Sequence, residues 1–150
     1  MFYNGLLIFH SYFRWIVLFG LLYNIIVSFY KNKFQRSFQI KDYLVAKSAV
    51  ILFCIQAILG LCLYYLSPLV KQFYQNPSLN IHHREIRFFS IEHSLMMLLA
   101  VILSAIGLRK SKQSKNGFKV LYIWFLIAII IILLNIPWQF SSLVHRPLFR

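Results

Sequence analysis

The chain has 150 residues, of which 60% are hydrophobic and only 13% are charged. A soluble domain has roughly 45–50% apolar and about 25% charged residues, so this composition excludes a water-soluble globular protein. The net charge is +13, from 16 basic and 3 acidic residues, and in a soluble protein it would indicate a nucleic-acid partner. We expect no nucleic acid here, because membrane topology accounts for the basic residues.

Four apolar segments follow one another, each near or above the roughly 20 residues that a helix needs to cross a bilayer. They run from Gly5 to Tyr30, Tyr43 to Leu66, Phe88 to Leu108 and Phe118 to Trp138. The first is too long for the apolar part of a signal peptide and lacks a basic start, so we expect it to remain as helix one. The sequence predicts one all-α domain over residues 1–150, an integral membrane antiparallel four-helix bundle.

Nine basic residues lie in the two short loops that join helices one and two and helices three and four. These residues are Lys31, Lys33, Arg36, Lys41, Arg109, Lys110, Lys112, Lys115 and Lys119. By the positive-inside rule both loops face the cytoplasm, which places both termini outside. Basic clusters beside a membrane attract anionic lipids, so we expect anionic lipid headgroups at these loops.

The outer segment from Ser67 to Arg87 contains Pro68, Pro77 and a polar cluster, which interrupt helix periodicity. The sequence predicts a loop there, with room for one helical turn. The tail from Gln139 to Arg150 is too short to form a domain, and we expect it to fold over the outer mouth of the bundle.

Small and polar residues recur at helical spacing and mark the predicted inner faces of the bundle. These faces comprise His10, Arg14, Val17, Leu21, Asn24 and Ser28 on helix one; Asp42, Ala49, Gln56, Gly60 and Ser67 on helix two; His93, Met96 or Met97, Ala100, Ser104 and Gly107 on helix three; and Trp124, Ala128, Asn135 and Gln139 on helix four. Small residues allow close backbone approach in lipid, and polar residues form hydrogen bonds between helices. We therefore expect the remaining large apolar residues to face the lipid.

Two histidines fall at matching depths on helices one and three, which run in the same direction across the membrane. His10 lies about five residues into helix one and His93 about five residues past Phe88, roughly 7 Å at the helical rise. Helices one and three are diagonal neighbours in an up-down-up-down bundle, so we expect the two imidazoles to be level across the core. A flat ligand held between two axial imidazoles needs this arrangement, and haem iron accepts histidine as an axial ligand.

Two ionisable residues accompany the histidines. Arg14 lies one turn below His10, and Glu92 adjoins His93. An intramembrane charge is costly without a partner, so we predict a salt bridge between Arg14 and Glu92. The guanidinium of Arg14 would also suit a haem propionate or a quinone oxygen.

Two other interpretations stay open at the level of the sequence. If the polar stripe only fixes helix register, the chain is a non-catalytic structural or assembly subunit of a membrane complex. If His93, Met96 and Met97 bind a metal, it is a small metal-handling transporter. The sequence has no paired acids and no HExxH spacing, so it favours no hydrolytic site.

Three motifs resemble the signatures of one family: HSYFRW from His10, EHSLMMLLAVILSAIG from Glu92 and IPWQF from Ile136. In this order they look like those of short bacterial four-helix membrane proteins commonly labelled cytochrome b or cytochrome b-like. The resemblance runs the length of the chain. Ser94 and Gln139 stand where prolines are frequent in that family.

The resemblance implies haem b, electron transfer and a multi-pass location in the bacterial inner (cytoplasmic) membrane. It singles out His10, Arg14, Glu92 and His93 as cofactor-binding residues, with the two histidines as ligands of the haem iron. The short loops leave no soluble catalytic domain. The predicted role is therefore electron relay near the periplasmic face, or contact with a quinone. We expect redox proteins or the subunits of a membrane complex as partners.

Overall fold

A computed structural model describes residues 2–138, and within this range the chain forms helices and no strand. The α-helices are α1 (Phe2–Lys33), α2 (Ile40–Leu66), α3 (Pro68–Gln75), α4 (Pro77–Asn80), α5 (Arg84–Arg87), α6 (His93–Gln113) and α7 (Gly117–Asn135), and a π-helical turn spans Phe88–Glu92. The predicted all-α fold class is confirmed. The predicted covering of the outer mouth falls on residues 139–150, which lie outside the described part of the chain.

Four helical segments are long and apolar enough to cross a membrane. They are Phe2–Lys33, Ile40–Leu66, Arg84–Gln113 and Gly117–Asn135. The third joins α5, the π-helical turn and α6 into one continuous helical segment. Large apolar side chains are exposed along all four, as expected where lipid is the solvent. These segments indicate a multi-pass membrane protein.

Helix ends differ from the predicted ones for local reasons. α1 and α6 continue into the basic loops as far as Lys33 and Gln113, because Lys, Arg and Gln are good helix formers. α7 ends at Asn135, before the predicted end at Trp138. The α conformation is disfavoured immediately before a proline, and Pro137 therefore ends this helix early.

The outer segment is largely helical, and the prediction of a loop there is wrong. Pro68 and Pro77 are the first residues of α3 and α4. Proline suits this position because the first amides of a helix have no partner inside it. The Ser67 hydroxyl accepts a hydrogen bond from the Val70 amide at 3.4 Å and caps α3. The two prolines thus start helices instead of breaking them.

The spanning helices pack in the ring order α1, α2, α6 and α7. α1 packs mainly on α2 and α7, and α6 packs mainly on the same two helices, so α1 and α6 occupy diagonal corners as predicted. Phe29 near the end of α1 contacts Tyr122 near the start of α7, with ring centroids 5.5 Å apart. Lys112 near the end of α6 lies 5.2 Å from the ring centroid of Tyr43 near the start of α2. In both contacts, a residue near the end of one helix meets a residue near the start of its neighbour.

On α1 the pattern of polar residues correctly predicts which side of the helix is buried. Its predicted face is buried at Val17, Leu21, Asn24 and Ser28. The side-chain amide of Asn24 donates to the Gly20 carbonyl at 2.8 Å. A polar group inside the bundle is thereby satisfied within its own helix, as the absence of water requires.

Polarity is a poor guide to the inner face of α7. Trp124, on the predicted face, is only half-buried, whereas Leu121 and Phe125 are almost completely buried. Lipid tails are as apolar as the bundle interior. Large apolar residues therefore suit either environment, and the sequence does not separate the two.

An ion pair joins the helices on either side of the first basic loop. Lys31 near the end of α1 pairs with Asp42 in the first turn of α2, and Asp42 also accepts from the Gln39 amide at 3.0 Å. The Lys31 ammonium lies 5.3 Å from the ring centroid of Phe118 at the start of α7. The two basic loops consequently lie at the same end of the bundle.

Candidate functional site

A cavity of about 170 Å³ lies inside the bundle at the end opposite the basic loops. Its wall is mainly apolar and includes the side chains of His10, Arg14, Gln56 and His93. By volume it is comparable with the roughly 150 Å³ apolar cavity that binds benzene in another protein. An apolar concavity with a few converging polar groups is the usual form of a small-molecule site.

Two exposed wall residues indicate that the cavity opens between α2 and α6. Leu61 of α2 and Leu98 of α6 line it, although 48% and 37% of their surfaces are exposed. Both helices are apolar at this level, so in a membrane the opening faces lipid. Leu69 and Val70 of α3 also line the cavity, and this short helix covers its outer end.

His93 is held by the backbone at the end of α7. Its Nδ1 lies 2.8 Å from the carbonyl oxygen of Asn135, and because a carbonyl only accepts, Nδ1 carries the proton. The carbonyl is available because the last carbonyls of a helix have no donor within it. In the neutral form of the ring, this leaves the lone pair on Nε2, as in metal-ligating histidines.

His10 packs against α2 at a glycine. A Cβ atom at Gly60 would lie 3.2 Å from Cε1 and 3.9 Å from Nδ1 of the His10 ring, so the missing side chain leaves room for the imidazole. Nδ1 of His10 is buried and has no hydrogen-bond partner among residues 2–138. A buried polar atom without a partner is costly, which indicates that a further group completes this site.

Arg14 lines the same cavity one turn along α1. Its guanidinium lies 5.5 Å from the ring centroid of Trp15, and the ring centroids of Trp15 and Trp138 are 6.4 Å apart. His10 and His93 line this cavity together with Arg14. Three of the four predicted site residues are therefore brought together in one cavity.

Glu92 is the predicted site residue that does not line the cavity, and the predicted Arg14–Glu92 salt bridge is wrong. The Glu92 carboxylate accepts from Nε of Arg87 at 2.7 Å, and both side chains are partly exposed. In an α-helix, residues five apart lie about 140° apart around the axis. The wider π-helical turn Phe88–Glu92, with its i→i+5 hydrogen bonds, brings them nearer to one side. Helix periodicity in the sequence assumes α geometry and so misplaces Glu92.

The residues of the metal-handling interpretation do not converge. Met97 lines the cavity together with His93, whereas Met96 lies on the surface of α6 with 39% of its area exposed. Successive residues of a helix point about 100° apart, which separates the two sulfur atoms. Within residues 2–138, no three His, Cys, Asp or Glu side chains are close enough to hold a metal ion.

Tyr64 is a wall residue that sequence reasoning missed. Its hydroxyl donates to the Ser90 carbonyl at 3.1 Å and lies 2.9 Å from the hydroxyl of Tyr74 on α3, and its side chain lines the cavity. An aromatic residue at the end of a spanning helix predicts only an interfacial position. The signal for its role is the packing of α3 on α2, which no local pattern contains.

Comparison with known proteins provides no relative, since no family model, curated protein or solved structure matches the chain. The cytochrome b-like resemblance therefore stays a prediction. The function has to be inferred from the residues of the cavity.

Proposed function

We propose that the chain is a membrane haem b protein that relays electrons, with His10 and His93 as the axial ligands of the iron. The observation that carries this proposal is that both imidazoles line one cavity from helices at diagonal corners of the bundle. The hydrogen bond from His93 to the Asn135 carbonyl adds support, because it leaves Nε2 free as a ligand. Haem b, when bound, supplies one-electron redox chemistry.

The residues of the cavity fit a haem. Two histidines suffice as protein ligands, since the four pyrrole nitrogens of the macrocycle complete the coordination. Arg14 has the planar donor fork that pairs with a propionate carboxylate. The enclosed volume, about 170 Å³, is less than a whole macrocycle, so the lateral opening beside Leu61 and Leu98 has to take up the remainder.

A cofactor spectrum of the purified chain tests this proposal. After expression with sufficient haem, we expect a b-type band in the reduced-minus-oxidised spectrum and about one haem per chain. A bis-histidine membrane cytochrome expressed in parallel serves as the positive control. A chain that carries no haem when this control is fully loaded would rule the proposal out.

The size and the lateral opening of the cavity favour a second candidate, a quinone ring bound in the same place. A lipid-soluble quinone would enter between α2 and α6. Arg14 would donate to a quinone oxygen, and Nε2 of His93 would accept from a quinol hydroxyl. Solvent extraction of the purified protein separates the candidates, because quinone recovered without a b-type band favours this one.

We also propose that the basic loops face the cytoplasm of a bacterial inner membrane and bind anionic lipids. Support comes from the position of both loops at one end of the bundle, opposite the cavity, and from their many cations. Lys31 is already paired with Asp42, whereas Arg36 and Lys41 are exposed in the same groove. Within this groove, these two side chains are available for a lipid phosphate.

The Arg36→Gln and Lys41→Gln variants are each expected to bind phosphatidylglycerol roughly fivefold more weakly than the wild type. Native mass spectrometry in detergent with added lipid measures the loss. Lys71→Gln is the matched control, because Lys71 is an exposed cation on α3 at the other end of the molecule. Equal losses in the control and in the loop variants would contradict a specific site.

A further inference from the structure

Tyr64 joins three helical elements at the end of the cavity that α3 covers. It lies in the last turn of α2, and its side chain lines the cavity together with His93. Its hydroxyl donates to the Ser90 carbonyl at 3.1 Å and lies 2.9 Å from the hydroxyl of Tyr74 on α3. Because a carbonyl only accepts, the single hydroxyl proton of Tyr64 goes to Ser90. Tyr74 is then the donor to Tyr64, which fixes the direction of both hydrogen bonds.

The carbonyl that Tyr64 binds belongs to the π-helical turn Phe88–Glu92, directly before His93. The His93 amide donates to the Phe88 carbonyl five residues back, which is the hydrogen bond of a π-helix. Such turns are rare within α-helices and are frequent at functional sites. Contacts from outside the segment therefore have to favour the wider turn over α geometry. The hydrogen bond from α2 to the Ser90 carbonyl is a contact of this kind.

The π-helical turn packs two aromatic rings against His93. The ring centroids of Phe88 and Phe89 lie 5.7 and 6.1 Å from that of His93. In an α-helix, the side chain four residues back lies about 40° away around the axis, and the one five residues back about 140°. Regular α geometry would therefore keep Phe89 beside His93 and turn Phe88 away. The contact between Phe88 and His93 is a consequence of the wider turn.

We propose that Tyr64 is a positioning residue, which orients the His93 imidazole through the π-helical turn. Its hydrogen bond to Ser90 holds the turn, and the turn packs Phe88 against the ring. The Asn135 carbonyl fixes which ring nitrogen carries the proton, whereas the aromatic contacts restrain rotation of the ring plane. Outer partners that fix the tautomer and the orientation of a histidine in this way are typical of metal ligands. The use of the ring as an axial ligand rests on the proposed haem function.

Nuclear Overhauser contacts between ring protons test the proposal on the cofactor-free protein in detergent. In the wild type, the His93 ring should show contacts to both Phe88 and Phe89. The Tyr64→Phe variant keeps the aromatic ring and removes only the hydroxyl, so the turn should relax towards α geometry. We expect the contact of His93 with Phe88 to disappear and that with Phe89 to remain. The retained contact is the internal reference and shows that the variant is folded.

Two other tyrosines provide matched controls. Tyr65→Phe changes the next residue of α2, whose surface is 83% exposed. Tyr74→Phe removes the donor to Tyr64 and leaves the hydrogen bond from Tyr64 to Ser90 in place. Both controls should retain all the ring contacts of the wild type, and loss of the Phe88 contact in Tyr65→Phe would overturn the proposal.

The wild-type spectrum already decides, even where a variant fails to fold. Absence of the contact between Phe88 and His93 in the wild type would overturn the proposal, and so would its persistence in Tyr64→Phe. The ring contacts need no haem. A chain that binds none would end the proposed function and leave the role of Tyr64 to be decided by these contacts.

Electron paramagnetic resonance of the haem-loaded protein gives a second readout. The g-values of a low-spin ferric haem depend on the orientation of the planes of its two axial imidazoles. We expect Tyr64→Phe to retain about the haem content of the wild type and to show shifted, broadened g-values, since the His93 plane is less restrained. Tyr65→Phe should leave them unchanged. A residue that only holds helices together would lower the unfolding temperature without moving the g-values, and this result would overturn the positioning role.

Discussion

From the proposed haem function we expect the His93→Leu variant to lose haem completely, with disappearance of the b-type band from the reduced-minus-oxidised spectrum. Leucine fills a similar volume but offers no lone pair, so the iron loses one axial ligand. The variant also loses the hydrogen bond that His93 makes to the Asn135 carbonyl. The measurement is the haem content per purified chain, with thermal unfolding in detergent recorded alongside it.

The companion variant His10→Leu should give the same loss, because a low-spin bis-histidine haem needs both ligands. His82→Leu and His83→Leu are matched controls, since these histidines are exposed in the outer segment and do not line the cavity. Loss of haem in the controls would point to a general defect. If the His10 and His93 variants lower stability and remove no cofactor, the structural or assembly-subunit interpretation is favoured.

The Gly107→Ala variant is expected to unfold at a markedly lower temperature than the wild type. A Cβ atom at Gly107 would lie 2.9 Å from Cγ of Trp124 and closer still to its Cβ, and 3.7 Å from the Trp124 Cα. Since the obstacle sits at the base of the side chain, a rotamer change cannot relieve it, and α6 and α7 must separate. Overpacking of this kind costs roughly 1–3 kcal/mol.

Gly5→Ala is the matched control for this prediction. A Cβ atom there meets nothing within 4 Å, and alanine is the better helix former by about 1 kcal/mol. We expect Gly5→Ala to leave the unfolding temperature unchanged or to raise it slightly. Equal unfolding temperatures for Gly107→Ala and the wild type would show that the α6–α7 interface is looser than the close approach of Gly107 and Trp124 indicates.

Much of the fold is predictable because the bilayer allows few solutions. Apolar segments of spanning length must be helical, and the fixed rise of a helix converts position in sequence into depth. For this reason His10 and His93 can be paired before any coordinates are known. On α1 the buried polar residues also reveal the inner face, because a polar group facing lipid would be costly.

The remainder of the site depends on contacts between segments far apart in the chain. Asn135 fixes the His93 tautomer only because α7 ends where α6 passes beside it. Gly60 makes room for the His10 ring. The sequence does not show which side chain will pack against a glycine within an apolar segment.

The amino-acid sequence by itself determined that four helices are long and apolar enough to span a membrane and that the two histidines stand at corresponding positions of helices one and three, since each follows from local composition and helix geometry. Tertiary structure alone decided that Glu92 pairs with Arg87, that α3 covers the cavity and which side of α7 is buried. The physical reason is that lipid and core are equally apolar and that one π-helical turn redirects every side chain on its N-terminal side. Neither the equal apolarity of lipid and core nor the π-helical turn can be seen in the hydrophobic pattern of the sequence.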